Sequence, residues 1–168
     1  MTNITRLFDF PYYQLENHNL DAALVSKKNG EWEKTSTKEY IDRANELSRA
    51  LLKLGVKKDE KIAVISSTNR TEWCIVDIGV LQVGAQNIPI YPTISSEDYG
   101  YVLNHSEATY CFVSDKEVFE KVMKVKANTK LKDVFSFDEI DDCKNYTELF
   151  ELGKDASSQS EVEARKAY

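Results

Sequence analysis

Residues 61–93 read KIAVISSTNRTEWCIVDIGVLQVGAQNIPIYPT, and the fold turns on how this stretch is read. Ile62, Ala63, Val64 and Ile65 form an unbroken apolar run, too short for a helix and bounded by polar residues, as a strand buried on both faces requires. This strand is expected at the centre of a parallel sheet. Asn69 stands where a side-chain oxygen caps a helix, and Glu72, three residues on, is placed to reach back to the cap. The helix is therefore expected to open at Arg70. Over 73–83 it is apolar on nearly every side, which predicts a helix covered by protein all round, with Trp73 in the core. Gly84 ends it, because glycine takes the left-handed conformation beyond a helix end at least cost.

Working outward, Ser36 and Glu39 form a capping box, and Tyr40, Ile41, Ala44, Leu47, Leu51 and Leu54 then recur at helical spacing up to Gly55. Asn29-Gly30, between the runs 22–28 and 32–34, suits the tight turn of a β-hairpin. Phe8, Phe10, Pro11, Tyr12 and Tyr13 predict an extended aromatic arm packed on the body. Further strands are expected near Gln86, Ala108 and Asp133, alternating with amphipathic helices opened by Ser95 with Asp98 and by Ser114 with Glu117. Pro89 and Pro92 should stop or bulge the second strand near Ile90, since proline donates no ladder hydrogen bond.

This alternation predicts an α/β protein: a Rossmann-like layered domain with a mostly parallel sheet flanked by helices, preceded by an N-terminal β-hairpin. Residues 1–152 are read as one domain. After Gly153 the sequence KDASSQSEVEARKAY carries almost no large apolar residue, so 153–168 is read as a linker or the end of the chain.

With 168 residues, 42% hydrophobic and 30% charged, the chain can build one real core. A net charge of −6 argues against nucleic acid as a partner, because a phosphate backbone needs concentrated basic surface. No segment has the length of apolar sequence that spans a bilayer, and the N-terminus lacks a basic region followed by an apolar core, which predicts a cytoplasmic protein. Lys116, Lys121, Lys124, Lys126, Lys130 and Lys132 form a basic stretch, read mainly as a solvated face, with peripheral contact to anionic lipid as the alternative. Cys74, Cys111 and Cys143 are widely spaced beside two histidines, which predicts no metal site and, for Cys74 and Cys111, small buried thiols. Asp138, Glu139, Asp141 and Asp142 crowd a turn without the glycine of a calcium loop.

A nucleotide site needs backbone N–H groups close to phosphate, which favours glycine-rich loops. The six glycines here are scattered. Gly79 and Gly84 have phosphate-loop spacing, yet Ala85 and Gln86 stand where Lys and Ser or Thr are required, inside a helical pattern. No catalytic, cofactor-binding or metal residue is assigned from the residues themselves.

The order Gly55, Asp59, Val64, Asn69, Glu72, Trp73, Gly84, Ala85, Pro89, Tyr91 and Thr93 resembles the opening third of an acyl-adenylate-forming enzyme, most closely a bacterial long-chain fatty-acid-CoA ligase. RLFDFPYYQL near the start, NGEWEKTSTKEY at 29–40 and LNHSEATYCFVSD at 103–115 share the resemblance. It implies a parent protein that joins a fatty acid to ATP with magnesium, releases pyrophosphate and passes the acyl group to coenzyme A. The family's Ser/Thr/Gly-rich loop ending in Pro-Lys-Gly, its later nucleotide motifs and its mobile lysine-bearing domain all lie beyond the region matched. No catalytic residue is carried over, and Asn69, Glu72, Trp73, Gly84, Pro89 and Tyr91 are read as architectural: a cap, a core anchor, a helix stop and a strand edge. The chain alone is expected to be inactive, and to expose an apolar face that the parent's other domains cover and through which it self-associates. Two other classes stay open: a flavodoxin-like binding or signalling module with Asp115 as phosphoryl acceptor, and a protein-interaction domain.

Overall fold

The computed structural model describes residues 4–28 and 30–167. Strand β1 (Leu24–Lys28) pairs antiparallel with β2 (Glu31–Thr35), in a register that sets Lys28 opposite Glu31. Gly30 lies between them at φ +88°, a value that favours glycine; Asn29 falls outside the described residues. The main sheet holds β3 (Lys61–Ile65), β4 (Gln86–Ile90), β5 (Tyr110–Val113), β6 (Asp133–Ser136) and β7 (Lys144–Asn145), all parallel, in the order β4-β3-β5-β6-β7. The chain runs outward from β3 to β4 and then returns across β3 to β5, which is the doubly wound arrangement expected.

Alternate residues of each strand feed two cores. On one face Ile62, Val64, Tyr110, Phe112 and Phe135 pack with helices α2 (Thr37–Lys53), α3 (Thr71–Gln82) and α6 (Thr147–Gly153). On the other, Ala63, Ile65, Cys111, Val113 and Val134 pack with α4 (Ser96–Ser106) and α5 (Lys116–Lys126). No residue of α3 is exposed, as its all-round apolar sequence predicts. Close helix packing allows this: Gly79 sits where an added Cβ would lie 2.8 Å from Leu47 Cδ2. The capping boxes at Ser36/Glu39 and Ser95/Asp98 are both formed.

Pro89 is accommodated by topology. The Gln86 N–H donates to the Glu60 carbonyl at 2.8 Å, and every second residue repeats that direction, so Ile88 and Ile90 face β3 while Asn87 and Pro89 face outward. The missing N–H therefore falls on the open side of an edge strand, and the strand runs to Ile90 before it stops.

Several expectations are corrected. The aromatic segment is not an extended arm but helix α1 (Asp9–Asn17), with Pro11 in the first turn, where an N–H has no intrahelical acceptor to lose. Helix α3 begins one residue later than expected, with Arg70 at the capping position and no side-chain cap; Asn69 is exposed in the loop. Helix α5 is capped by Asp115, whose carboxylate accepts from the Val118 N–H, and not by Ser114 with Glu117. Trp73 is half-buried at the margin of the first core, since it lies in the first turn of α3, where the helix leaves the sheet. The stretch 153–167, read as part of a linker or chain end, holds structure: a 3₁₀ turn (Ala156–Ser158) leads into α7 (Gln159–Lys166), whose Val162 is fully buried, while Tyr168 lies outside the described residues. Polar side chains hold this helix, with Arg165 donating to the Val56 and Val83 carbonyls and Lys166 to the Tyr12 hydroxyl.

Candidate functional site

Open parallel sheets place ligands beyond the carboxyl ends of their strands, where the winding direction reverses. Here that point lies between β3 and β5, whose trailing loops carry 66–70 (SSTNR) and Ser114-Asp115. Arg70 organises it. Its Nη1 donates to the Ser114 carbonyl at 3.1 Å and to Asp138 Oδ1 at 2.8 Å, its Nη2 to Glu72 Oε1 at 2.8 Å, and its guanidinium lies 5.5 Å from the Phe137 ring centroid. Burial alone would push the Glu72 carboxyl up, but the Arg70 hydrogen bonds and charge outweigh it and hold Glu72 below its ordinary value.

Beside this, Ser67 Oγ and Ser114 Oγ donate to Asp115 Oδ2 at 2.7 and 2.6 Å, and the Ser67 N–H donates to Ser114 Oγ at 2.9 Å. Burial again opposes the charge on Asp115, and these hydrogen bonds overcome it, so its carboxyl is held low. Asp115 is thus the cap of α5 and the tie between two loops, not a free carboxylate awaiting a phosphoryl group. The signalling-module reading loses its acceptor.

Of the residues singled out in the sequence, Asn69 and Glu72 reach this rim. Gly84 is at the far end of α3, with φ +73° as a helix stop requires, and Trp73 lies against the core. Pro89 and Tyr91 lie at the end of the edge strand, with Tyr91 80% exposed. The six do not converge on one site. Arg70, Ser114 and Asp138 were read in the sequence only as a helix start, a cap and part of an acidic turn, and their meeting at one rim was missed, although polar residues in the loops after three buried strands were the available signal.

A cleft of about 720 Å³ opens below the hairpin, with Tyr146, Phe150 and Ile75 among its lining and Glu33, Asp42 and Arg43 on its walls. Burial pushes the Tyr146 phenol well above its ordinary value, and Arg43 covers the Phe150 ring at 4.7 Å.

Fold and rim together define a doubly wound α/β layer whose strand-end loops are closed by their own ion pairs and caps. The family model described as AMP-binding enzyme matches residues 13–167, and the chain belongs to that family. It is 29% identical over 139 residues to the long-chain-fatty-acid–CoA ligase ACSBG2 of Xenopus laevis, covering 79% of this chain and 19% of that protein. It is 31% identical over 115 residues to fatty acyl-CoA synthetase A of Dictyostelium discoideum, covering 68% of this chain and 17% of that one. Among solved structures, a long-chain-fatty-acid-CoA ligase (FadD1) from Archaeoglobus fulgidus shares the fold with a TM-score of 0.74 at 22% identity, over 90% of this chain and 30% of that one. The chain spans about a fifth of the length of these curated relatives.

Around this rim, several of the groups that could meet a phosphate are already engaged by the chain itself. Arg70 is already shared among Glu72, Asp138 and a carbonyl. At the N-terminus of α5 the Val118 N–H is taken by the Asp115 carboxylate and at that of α4 the Asp98 N–H by Ser95, whereas α3 opens without a side-chain cap. Gly84 is at the carboxyl end of α3, which repels anions. Among the described residues no three His, Cys, Asp or Glu side chains gather as a metal-binding group, and no helix is long and apolar enough to cross a membrane.

Proposed function

We propose that this chain forms the N-terminal layer of a longer long-chain fatty-acid-CoA ligase. That enzyme would activate a fatty acid with ATP and magnesium as an acyl-adenylate, then form the thioester with coenzyme A. The observation that carries this reading is the family match over 13–167, together with relatives whose names specify fatty acyl substrates. Within the enzyme the layer acts as scaffold. Adenylation needs donors around the triphosphate and in-line placement of the acyl carboxylate, which this reading assigns to the remaining domains of the parent. The same reading places the enzyme in the cytoplasm, in peripheral contact with the membrane from which fatty acids are drawn, and gives the chain alone a tendency to self-associate through exposed apolar surface.

The test is fatty-acid-dependent exchange of labelled pyrophosphate into ATP, run on this chain and on the same chain extended through the remaining domains of the parent. Exchange by the extended protein alone is expected. Exchange by this chain would place an active site within it, and silence from both would leave a protein-interaction domain as the better reading.

A further inference from the structure

The hairpin is a sheet separate from the main one, and its two sides differ in chemistry. The cross-strand pairs Leu24–Thr35, Ser26–Glu33 and Lys28–Glu31 share one side, which is turned to the body: Ser26 Oγ lies 3.1 Å from Thr71 Oγ1. The pairs Val25–Lys34 and Lys27–Trp32 share the other. There Trp32 is 66% exposed and Val25 49%, with Lys27 and Lys34 exposed beside them and the Lys27 ammonium 5.8 Å from the Trp32 ring centroid. Both hairpin carboxylates, Glu31 and Glu33, are on the opposite side. In a chain with a net charge of −6, this face is apolar and purely cationic.

We propose that the outer face of the hairpin docks onto an anionic phospholipid surface. A bilayer interface suits its parts together: indole is favoured at headgroup depth, Val25 adds apolar area beside it, and the two ammonium groups meet lipid phosphate and carboxylate while their stems lie flat. A nucleic acid matches the lysines and the ring but leaves Val25 without a role. The choice of lipid over other anions rests on the fatty-acyl reading above.

The lysines of 116–132 are the weaker surface, because four of the six are already engaged: Lys116 with Glu120, Lys121 with Glu117, Lys130 with Glu107 and Lys132 with Glu60. With two cations and one indole, docking by the hairpin is reversible and salt-sensitive, as membrane attachment through a single weak signal is.

The experiment uses the chain carrying Trp73→Phe, so that Trp32 is the only indole. It is titrated with phosphatidylcholine vesicles, with and without phosphatidylglycerol, and followed by Trp emission and by vesicle co-sedimentation. A blue shift and co-sedimentation with the anionic vesicles only, reversed by salt, are the expected results. Lys27→Glu with Lys34→Glu should weaken binding about tenfold or more. Far-ultraviolet circular dichroism, which these exposed changes leave unaltered, shows that each variant is folded. Equal behaviour on both vesicle types, an unmoved emission maximum, or full binding by the double variant would overturn the assignment. So would a blue shift produced by a single-stranded oligonucleotide but by no vesicle. Pyrophosphate exchange does not depend on vesicles, so docking can fail while the ligase reading stands, and the reverse.

Discussion

Arg70 donates to Asp138 at 2.8 Å, and through the same nitrogen to the Ser114 carbonyl at 3.1 Å, so one guanidinium joins the loops that follow β3, β5 and β6. Its side chain is only 15% exposed, and that of Glu72, its other partner, 12%. Removing a cation from such a site strands the carboxylates it neutralised. Arg70→Ala should lower unfolding stability by about 2 to 4 kcal/mol, below the full cost of a buried pair because Asp138 is half exposed. Arg70→Lys should recover part of this at most, since an ammonium lacks the planar fork that serves three acceptors. Urea denaturation of the two variants beside the parent checks the order.

The same cluster fixes an acid limb of stability. Glu72 has a folded-state carboxyl held below its ordinary value of 4.5, so the charged form stabilises the fold fully above that value, and the contribution is lost as pH falls through the folded value. Glu72→Gln should therefore flatten the decline in melting temperature below pH 4.5 while lowering stability at neutral pH. An unchanged acid limb in Glu72→Gln would remove Glu72 from this role.

Trp73 is half-buried, so its replacement should cost less than the roughly 3 to 5 kcal/mol expected of a fully buried aromatic. About 1.5 to 3 kcal/mol is expected for Trp73→Ala, read as a shift of the urea midpoint with unchanged slope.

Patterned elements were legible in sequence and unpatterned ones were not. The strand 62–65, the capping boxes at Ser36 and Ser95 and the stop at Gly84 each carry a local signal that the tertiary structure had no reason to override. Helix α1 was hidden because Pro11 among aromatics looks extended unless it is recognised as a first-turn residue. Helix α7 was hidden because its single buried apolar residue, Val162, gives no periodicity, and its attachment runs through Arg165 and Lys166. The rim was hidden for a third reason: Arg70, Ser114 and Asp138 are 24 to 68 residues apart, and only the parallel register of β3, β5 and β6 brings their loops together.

Gly79 and Gly153 both sit at close helix contacts, but against different kinds of neighbour. An added Cβ at Gly79 meets the Leu47 side chain at 2.8 to 3.1 Å, whereas at Gly153 it would lie 1.8 Å from the Glu46 carbonyl oxygen. A side chain can shift its rotamer; a helix backbone cannot move so far without parting α2 from α6. Gly79→Ala is expected to cost about 1 to 3 kcal/mol, and Gly153→Ala more than that. Thermal unfolding of both variants gives the comparison, and equal melting temperatures would contradict the contact at Gly153.

The last prediction separates a linker from packed structure at 156–166. A linker can be removed without consequence, because it buries nothing. Helix α7 instead buries Val162 completely, and Arg165 supplies donors to the Val56 carbonyl at 3.1 Å and the Val83 carbonyl at 3.3 Å, the latter just past the end of α3. Carbonyls at a helix end need such partners, and a cation there also meets the negative end of the helix dipole. Lys166 adds a contact to Tyr12, with its ammonium 2.8 Å from the hydroxyl and 4.3 Å from the ring centroid, and so ties α7 to α1. A chain ending at Asp155 keeps Gly153 and its hydrogen bond from Arg49 but loses all of these. Burial of one valine is worth about 2 kcal/mol, which for a chain of this size corresponds to roughly 5 °C in melting temperature before the polar contacts are counted. Shortening the chain should therefore lower the melting temperature by about 5 °C or more. Arg165→Ala alone should produce a smaller fall, because water can replace part of what the guanidinium supplies. A truncated chain that melts with the parent would restore the linker and remove α7 from the fold.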